Sequence, residues 1–170
     1  MVTENPNIMN RGQMSSASQV GGGRETLHEI LTKVNNAKDK AKKVAVLQQY
    51  DSAPLRMIIK GSFDPNISWD LPDGTPPYME NEAPLGTEHT YLETEAKRLY
   101  HFVKGADDSL SKTRKETLFI QMLEGLHSTE AKLLLDIKDK VLHRKYKGLS
   151  VAVVKEAFNW NDDFTKIEQK

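Results

Sequence analysis

The sequence contains no cysteine, which excludes disulfide bridges, thiolate metal sites and cysteine nucleophiles. It also lacks an excess of either charge, since 24 Lys and Arg balance 24 Asp and Glu. This balance argues against a general polyanion binder, whose affinity rests on excess positive charge, but it leaves a local basic patch open. No apolar run approaches the roughly 20 residues of a transmembrane helix. We therefore expect a protein that works inside a cell and has no membrane partner.

Motifs for catalysis and metal binding are missing as well. No two of the five histidines are four positions apart, so the helical spacing of a zinc site is absent. The Asp64-x-Asn66-x-Ser68 run matches the start of an EF-hand loop, but Trp69 and Thr75 stand where that loop needs glycine and glutamate. No Gly-x-Ser-x-Gly and no P-loop are found. We expect no catalytic residue, no metal and no cofactor, and hence no enzyme.

Composition and periodicity divide the chain into five parts. Residues 1–23, rich in Ser, Asn, Gln and Gly, are expected to be a disordered tail. A helical part over 24–61, a proline-rich extended part over 62–86 and a second helical part over 87–158 follow, and 159–170 is a tail that either docks or stays free. The predicted fold is all-α, a compact bundle of about six short helices.

Local signals place several helix ends. Ser52 before Ala53-Pro54 is a good N-cap, and the helix that follows is expected to stop at Gly61. Thr90 with Glu93 fits a capping box at the start of the second helical part. Ser128 is expected to cap a later helix of that part.

The segment 63–78 holds four of the seven prolines. Its large apolar residues Ile67, Trp69 and Leu71 alternate with polar ones, so an extended backbone would turn all three towards one surface. We call this segment the strap and expect it to be ordered and to lie across the helices. Trp69, together with Trp160 and Phe164 of the C-terminal tail, is also a candidate anchor for a protein partner.

Two basic clusters are candidate contacts for nucleic acid. Cations would bind phosphates, and one tyrosine could stack on a base. The alternative is that both clusters are solvated helix faces, which the balanced net charge favours. The candidate residues are Lys40, Lys42, Lys43, Lys138, Lys140, Arg144, Lys145, Tyr146 and Lys147.

Five segments carry a resemblance to a known family. They resemble an uncharacterised family from T-even-like tailed bacteriophages, notably marine myoviruses, over most of the chain from about Leu27 to Phe164. This resemblance implies a viral source and an intracellular setting and implies no mechanism. The segments are Ser62–Tyr78, Ala83–Thr90, Leu99–Gly105, Phe119–His127 and Lys138–Leu149.

A second resemblance covers residues 27–65. The runs Leu27–Val34, Lys40–Asp51 and Leu55–Lys60 are similar to the N-terminal helical module of phage ATP-dependent DNA ligases. The resemblance implies DNA contact through Lys40, Lys42 and Lys43. It does not imply ligase activity, because the adenylation motif Lys-x-Asp-Gly is absent.

Together these observations predict a non-enzymatic helical binding or adaptor protein. It would act in the host cytoplasm during infection, with an unidentified protein partner. DNA or the replication and transcription machinery are candidate contacts. The alternative is a structural or assembly protein of the virion.

Overall fold

The computed structural model describes residues 25–84, 87 and 89–167. Within these residues the chain is helical and its β-pairing is limited to isolated bridges, so the predicted all-α fold is confirmed. The predicted disordered tail over 1–23 lies outside the described residues. None of the described helices has the length and apolar character needed to cross a bilayer. The elements are α1 Leu27–Asn36, α2 Lys40–Gln49, α3 Ala53–Phe63, α4 Leu92–Glu95, the 3₁₀ helix Ala96–Phe102, α5 Lys112–Gly125, α6 Ser128–Lys138, α7 Leu142–Lys145 and α8 Val151–Phe158.

Helix α3 begins as the sequence indicates but ends later. The Ser52 side chain accepts a hydrogen bond from the backbone N–H of Leu55, which confirms the N-cap. The helix then continues through Gly61 to Phe63, and the expectation that it stops at this glycine is wrong. Glycine costs a helix about 1 kcal/mol relative to alanine. Here that cost is offset because the Trp69 ring packs on the bare face of Gly61.

Two other predicted caps are also corrected. No side chain of the preceding residues caps α4, and the backbone N–H of Leu92 instead donates to the Glu130 carboxylate. Thr90 pairs with the end of α5, since its N–H donates to the Gly125 carbonyl at 2.8 Å. Helix α6 is capped by His127, whose side chain accepts from the Thr129 N–H, and Ser128 is its first helical residue.

The core is built around α6. Leu133, Leu134 and Ile137 of this helix are buried, and α6 contacts α1, α3, α5 and α7. Helix α2 lies mainly against α1 and α8. The apolar stripe that the sequence predicts for α1 is buried in full, with Leu27, Ile30, Leu31 and Val34 all inside.

The segment after α8 docks on the protein, which resolves the alternative between a docked and a free tail for residues 159–167. Asn159 takes a left-handed conformation with φ of 56° and turns the chain back. The rings of Phe158 and Trp160 have centroids 4.8 Å apart, and Phe164 packs on Trp160 at 5.9 Å. Trp160 and Phe164 are both buried, so both rings contribute to the packing of this segment, and contact of either ring with a protein partner stays a prediction.

Candidate nucleic-acid interface

The first lysine of the second basic cluster, Lys138, forms hydrogen bonds with the strap. The Lys138 Nζ donates to the carbonyl oxygens of Pro72 at 2.8 Å and Gly74 at 2.9 Å, and it pairs with Asp139. Its side chain is 3% exposed. A lysine ammonium has three N–H donors, and these three oxygen partners satisfy all of them. Lys138 is therefore a structural lysine, and its proposed contact with a phosphate is corrected.

Lys140 makes a similar contact two residues later. The chain turns here through a left-handed conformation with φ of 60°, and the Nζ donates to the carbonyls of Asp64 at 2.6 Å and Ile67 at 2.5 Å. Burial lowers the pKa of Lys140, and the nearby Asp64 carboxylate opposes this shift. This ammonium also serves the strap and is not presented to a nucleic acid.

A third lysine holds the middle of the strap. The buried Lys115 of α5 forms an ion pair of 2.9 Å with Asp70. Its hydrogen bond to the carboxylate lowers the pKa of Asp70. On the other edge, the Asp70 N–H donates to the Phe102 carbonyl and the Lys104 N–H donates to the Ser68 carbonyl, both at 2.7 Å. The strap is thus fastened through its backbone as well as its side chains.

Trp69 completes the attachment. Its indole Nε1 donates to the Gly61 carbonyl at 2.9 Å, and the half-buried ring packs against the core. Leu71 also packs against the core, as the alternating pattern predicts, and so does Tyr78 at the end of the strap. The Trp69 ring is therefore part of the packing between the strap and α3.

Tyr146 is not available to stack on a base. It is 3% exposed, and its hydroxyl lies 2.9 Å from Nδ1 of His28 in α1. Burial raises the pKa of Tyr146 to about 12. The ring joins the turn after α7 to α1, and the expectation of a stacking platform is corrected.

The N-terminal basic cluster divides into paired and unpaired cations. Lys40 forms an exposed ion pair of 3.2 Å with Glu156 of α8. The Lys43 Nζ donates to the Ala37 carbonyl, and its aliphatic stem lies against Gly148. Lys42 is exposed, and its side chain has no ion pair or hydrogen bond with any described residue.

Gly148 brings the two clusters together. Its N–H donates to Asn35 Oδ1 at 2.9 Å, and a Cβ at this position would collide with the Lys43 stem. The loop that contains Lys147 therefore lies beside the start of α2. We name the cations that surround this junction the basic edge: Lys42, Lys43, Arg144, Lys145 and Lys147.

Most of the basic edge is accessible. Arg144, Lys145 and Lys147 are exposed; Lys145 has a long contact of 3.8 Å with Asp136 and lies 5.8 Å from the centroid of the Tyr146 ring. The charge of Lys145 also reaches α1, where burial and then this lysine lower the pKa of His28. Cations that are exposed and carry no packing role are those that phosphate binding would use.

Sequence reasoning missed two buried charged residues, Lys115 and Glu130. Lys115 lies four and seven positions before Phe119 and Met122, on the buried face of α5, and its partner Asp70 lies 45 positions earlier. Glu130 is 1% exposed, although its place in the first turn of α6 is typical of a solvated acid. Helical spacing could have identified both residues, since Glu130 likewise lies four and seven positions before the buried Leu134 and Ile137. Their charged side chains led to the expectation of exposure.

Comparison with known proteins gives one match. Neither the curated proteins nor the solved structures contain a protein similar to this chain. A family model does match, over residues 30–144, which span α1 to α7 and include the strap. Because the match covers more than half of the chain, the protein belongs to this family, which is described as a Family of unknown function (DUF6433).

Proposed function

We propose that this chain is a phage-encoded, non-enzymatic binding protein whose basic edge contacts the phosphate backbone of nucleic acid. The observation that carries the proposal is the junction at Gly148, where cations of α2 and of the turn after α7 meet. The ammonium groups of Lys138 and Lys140, by contrast, donate hydrogen bonds to main-chain carbonyl oxygens of the strap. The basic edge contains the cations of both clusters that remain once these structural lysines and the ion-paired Lys40 are set aside.

The phage origin is supported by the segments that resemble the T-even-like family. Nucleic-acid contact is supported by the similarity of residues 27–65 to the helical module of phage DNA ligases, which includes Lys42 and Lys43 of the basic edge. The balanced net charge fits a local contact better than a general one. We infer a protein of the host cytoplasm that brings nucleic acid and a protein partner together during infection.

The test is fluorescence anisotropy with labelled single-stranded and duplex oligonucleotides of mixed sequence. The variant Lys42→Ala/Arg144→Ala/Lys145→Ala/Lys147→Ala removes four exposed cations and spares the strap lysines. We expect binding at about 50 mM salt, with a steep loss of affinity as salt rises. In the variant, affinity should fall and the slope of log K against log salt should become shallower by one or more.

A matched control removes four exposed cations elsewhere, as Lys97→Ala/Lys104→Ala/Arg114→Ala/Lys132→Ala. It changes the net charge equally, so it should lower affinity much less than the basic-edge variant. Equal losses in the two variants would show that only net charge matters. No binding of either oligonucleotide at about 50 mM salt would remove the proposal, because phosphate contacts are strongest there.

Mass spectrometry of purified phage particles separates this proposal from a structural role in the virion. An adaptor made during infection should be abundant in infected cells and scarce in particles. Abundant peptides of this chain in purified particles would favour the structural or assembly role.

A further inference from the structure

A groove of about 500 Å³ opens between α3, the start of the strap and the C-terminal segment. Its apolar wall comes from three parts of the chain. Phe158, the last residue of α8, and Trp160, two residues later, supply the aromatic surface, and Ile67 contributes from the strap. The wall is therefore assembled only when the strap and the C-terminal segment are both docked.

Met57 lies in this groove with 39% of its surface exposed. Three other large apolar residues of α3, Leu55, Ile58 and Ile59, are by contrast fully buried. A methionine side chain is flexible and polarisable, and it adapts to aromatic and aliphatic partners. An exposed methionine beside two aromatic rings gives the groove an apolar surface that a large side chain can cover.

The rim of the groove is positively charged. Arg56, Lys60 and Lys166 line it, and the single acid is Asp51, which pairs with Arg56. The Lys60 Nζ lies 5.2 Å from the centroid of the Trp160 ring, which is a cation–π contact. Neither Lys60 nor Lys166 forms an ion pair with any carboxylate of the described residues. Two cations beside an apolar wall are thus left for an external carboxylate.

We propose that this groove binds an acidic peptide segment of another protein, with one large apolar side chain seated between Met57 and Trp160. Carboxylates that flank the apolar residue would meet Lys60 and Lys166. The N-terminal 24 residues of the chain itself are a poor fit, since they contain one acid, Glu4, and two arginines. Charge complementarity therefore assigns the groove to a partner protein. This site shares no residue with the basic edge, so it does not depend on the proposed nucleic-acid contact.

The proposal is tested with three fluorescein-labelled 12-residue peptides, each titrated with the full-length protein. One carries a central Phe flanked by Glu and Asp, the second has Ala in place of Phe, and the third has Lys in place of the acids. Fluorescence polarisation should show binding of the first peptide. The second and third should bind at least about tenfold more weakly, because each lacks one of the two features that the groove recognises.

Variants then locate the site. Lys60→Glu and Lys166→Glu reverse the rim charge, and each should weaken binding of the acidic Phe peptide about tenfold or more. Lys132→Glu makes the same change at an exposed position of α6 and should leave binding unchanged. In a ¹⁵N-labelled sample, the indole N–H signal of Trp160 should shift on titration while that of Trp69 stays in place.

Several outcomes would overturn the proposal. One is an equal loss of binding in Lys132→Glu and Lys60→Glu, and another is an absence of binding at peptide concentrations near 1 mM. A third is a large gain in affinity on deletion of residues 1–23, which would assign the groove to the chain's own N-terminus. The basic-edge variant should bind the acidic peptide normally, so failure of one proposal can be told from failure of the other.

Discussion

Glu130 Oε1 accepts a hydrogen bond from the backbone N–H of Leu92 at 3.2 Å, although the two residues are 38 positions apart. The carboxylate thereby caps the start of α4, where no neighbouring side chain does so. The N–H of Leu27, the first residue of α1, also faces this carboxylate. One acid of α6 thus caps α4, and the backbone N–H groups of Leu92 and Leu27 both lower its pKa, while its buried Oε2 has no hydrogen-bond partner among the described residues.

Burial has the larger effect and raises the pKa of Glu130 to about 7. An acid whose pKa is higher in the folded chain than its ordinary value of 4.5 stabilises the fold at low pH. That stability is lost as the pH rises from about 4.5 to about 7, and it changes little above this range. The total loss is on the order of 3 kcal/mol, because each pKa unit corresponds to about 1.4 kcal/mol.

The variant Glu130→Gln tests this account. An amide oxygen can still accept from Leu92, and the side chain no longer ionises. We expect the free energy of unfolding to vary less between pH 5 and pH 8 than in the parent, and to exceed the parent value at pH 8 by about 1–3 kcal/mol. Urea denaturation at four pH values measures both. Glu116→Gln is the matched control, and an identical pH dependence in parent and Glu130→Gln would contradict the assignment.

The strap lysines make a second prediction. Lys138→Met keeps the aliphatic stem and removes the ammonium, which leaves the carbonyls of Pro72 and Gly74 without their donor. Loss of these partly buried hydrogen bonds should cost about 2 kcal/mol in the free energy of unfolding. Lys132→Met changes an exposed lysine of the same helix and should cost less than about 0.5 kcal/mol.

Limited proteolysis gives an independent readout of the same variant. If Lys138 fastens the strap, Lys138→Met should be cut faster than the parent between residues 71 and 78. Unchanged cleavage together with unchanged stability would mean that the strap is held by its other contacts.

Trp69→Ala should destabilise the protein by about 3 kcal/mol or more, as large-to-small changes in packed regions do. The ring packs on α3, and its Nε1 satisfies the Gly61 carbonyl. Urea denaturation followed by circular dichroism measures the change, since one of the two fluorescent tryptophans is removed. A loss under about 1 kcal/mol would show that the ring contributes little to the fold.

Gly61→Ala makes a fourth prediction, in the form of a double-mutant cycle. A Cβ at this position would lie 2.7 Å from Cζ2 of Trp69 and 3.0 Å from Cγ2 of Ile137. Alone, the substitution should cost about 1–3 kcal/mol through overpacking. In the Trp69→Ala background it should be close to neutral, because the clash with the indole is gone and alanine favours the helix. Additive effects would contradict direct contact between the two positions.

The fold could be predicted from sequence where the signal is local. The stripe of α1 and the cap at Ser52 follow from spacing within one helix and its first turn, and both are present. The C-terminal end of α3 and the cap at the start of α4 could not be predicted, because each depends on a residue outside the helix. Trp69 makes Gly61 tolerable inside a helix, and Glu130 replaces the expected cap at Thr90.

The candidate interface, too, could be predicted only in part from the sequence. Spacing identifies a cluster of cations around Lys138 and Arg144, but it does not indicate which ammonium groups have partners elsewhere. Lys138 contacts carbonyls more than 60 positions earlier, whereas Arg144 is exposed. Only the three-dimensional arrangement separates the structural lysines from the basic edge.

Two of the three lysines that hold the strap, Lys138 and Lys140, bind main-chain oxygen atoms, and every amino acid supplies such an atom. A replacement at Ile67 or Pro72 therefore keeps the acceptor, whatever side chain it brings. Lysine at positions 138 and 140 is harder to replace, because arginine has a planar head group with a different geometry. Within the family, we therefore expect positions 67 and 72 to vary more freely than Lys138 and Lys140.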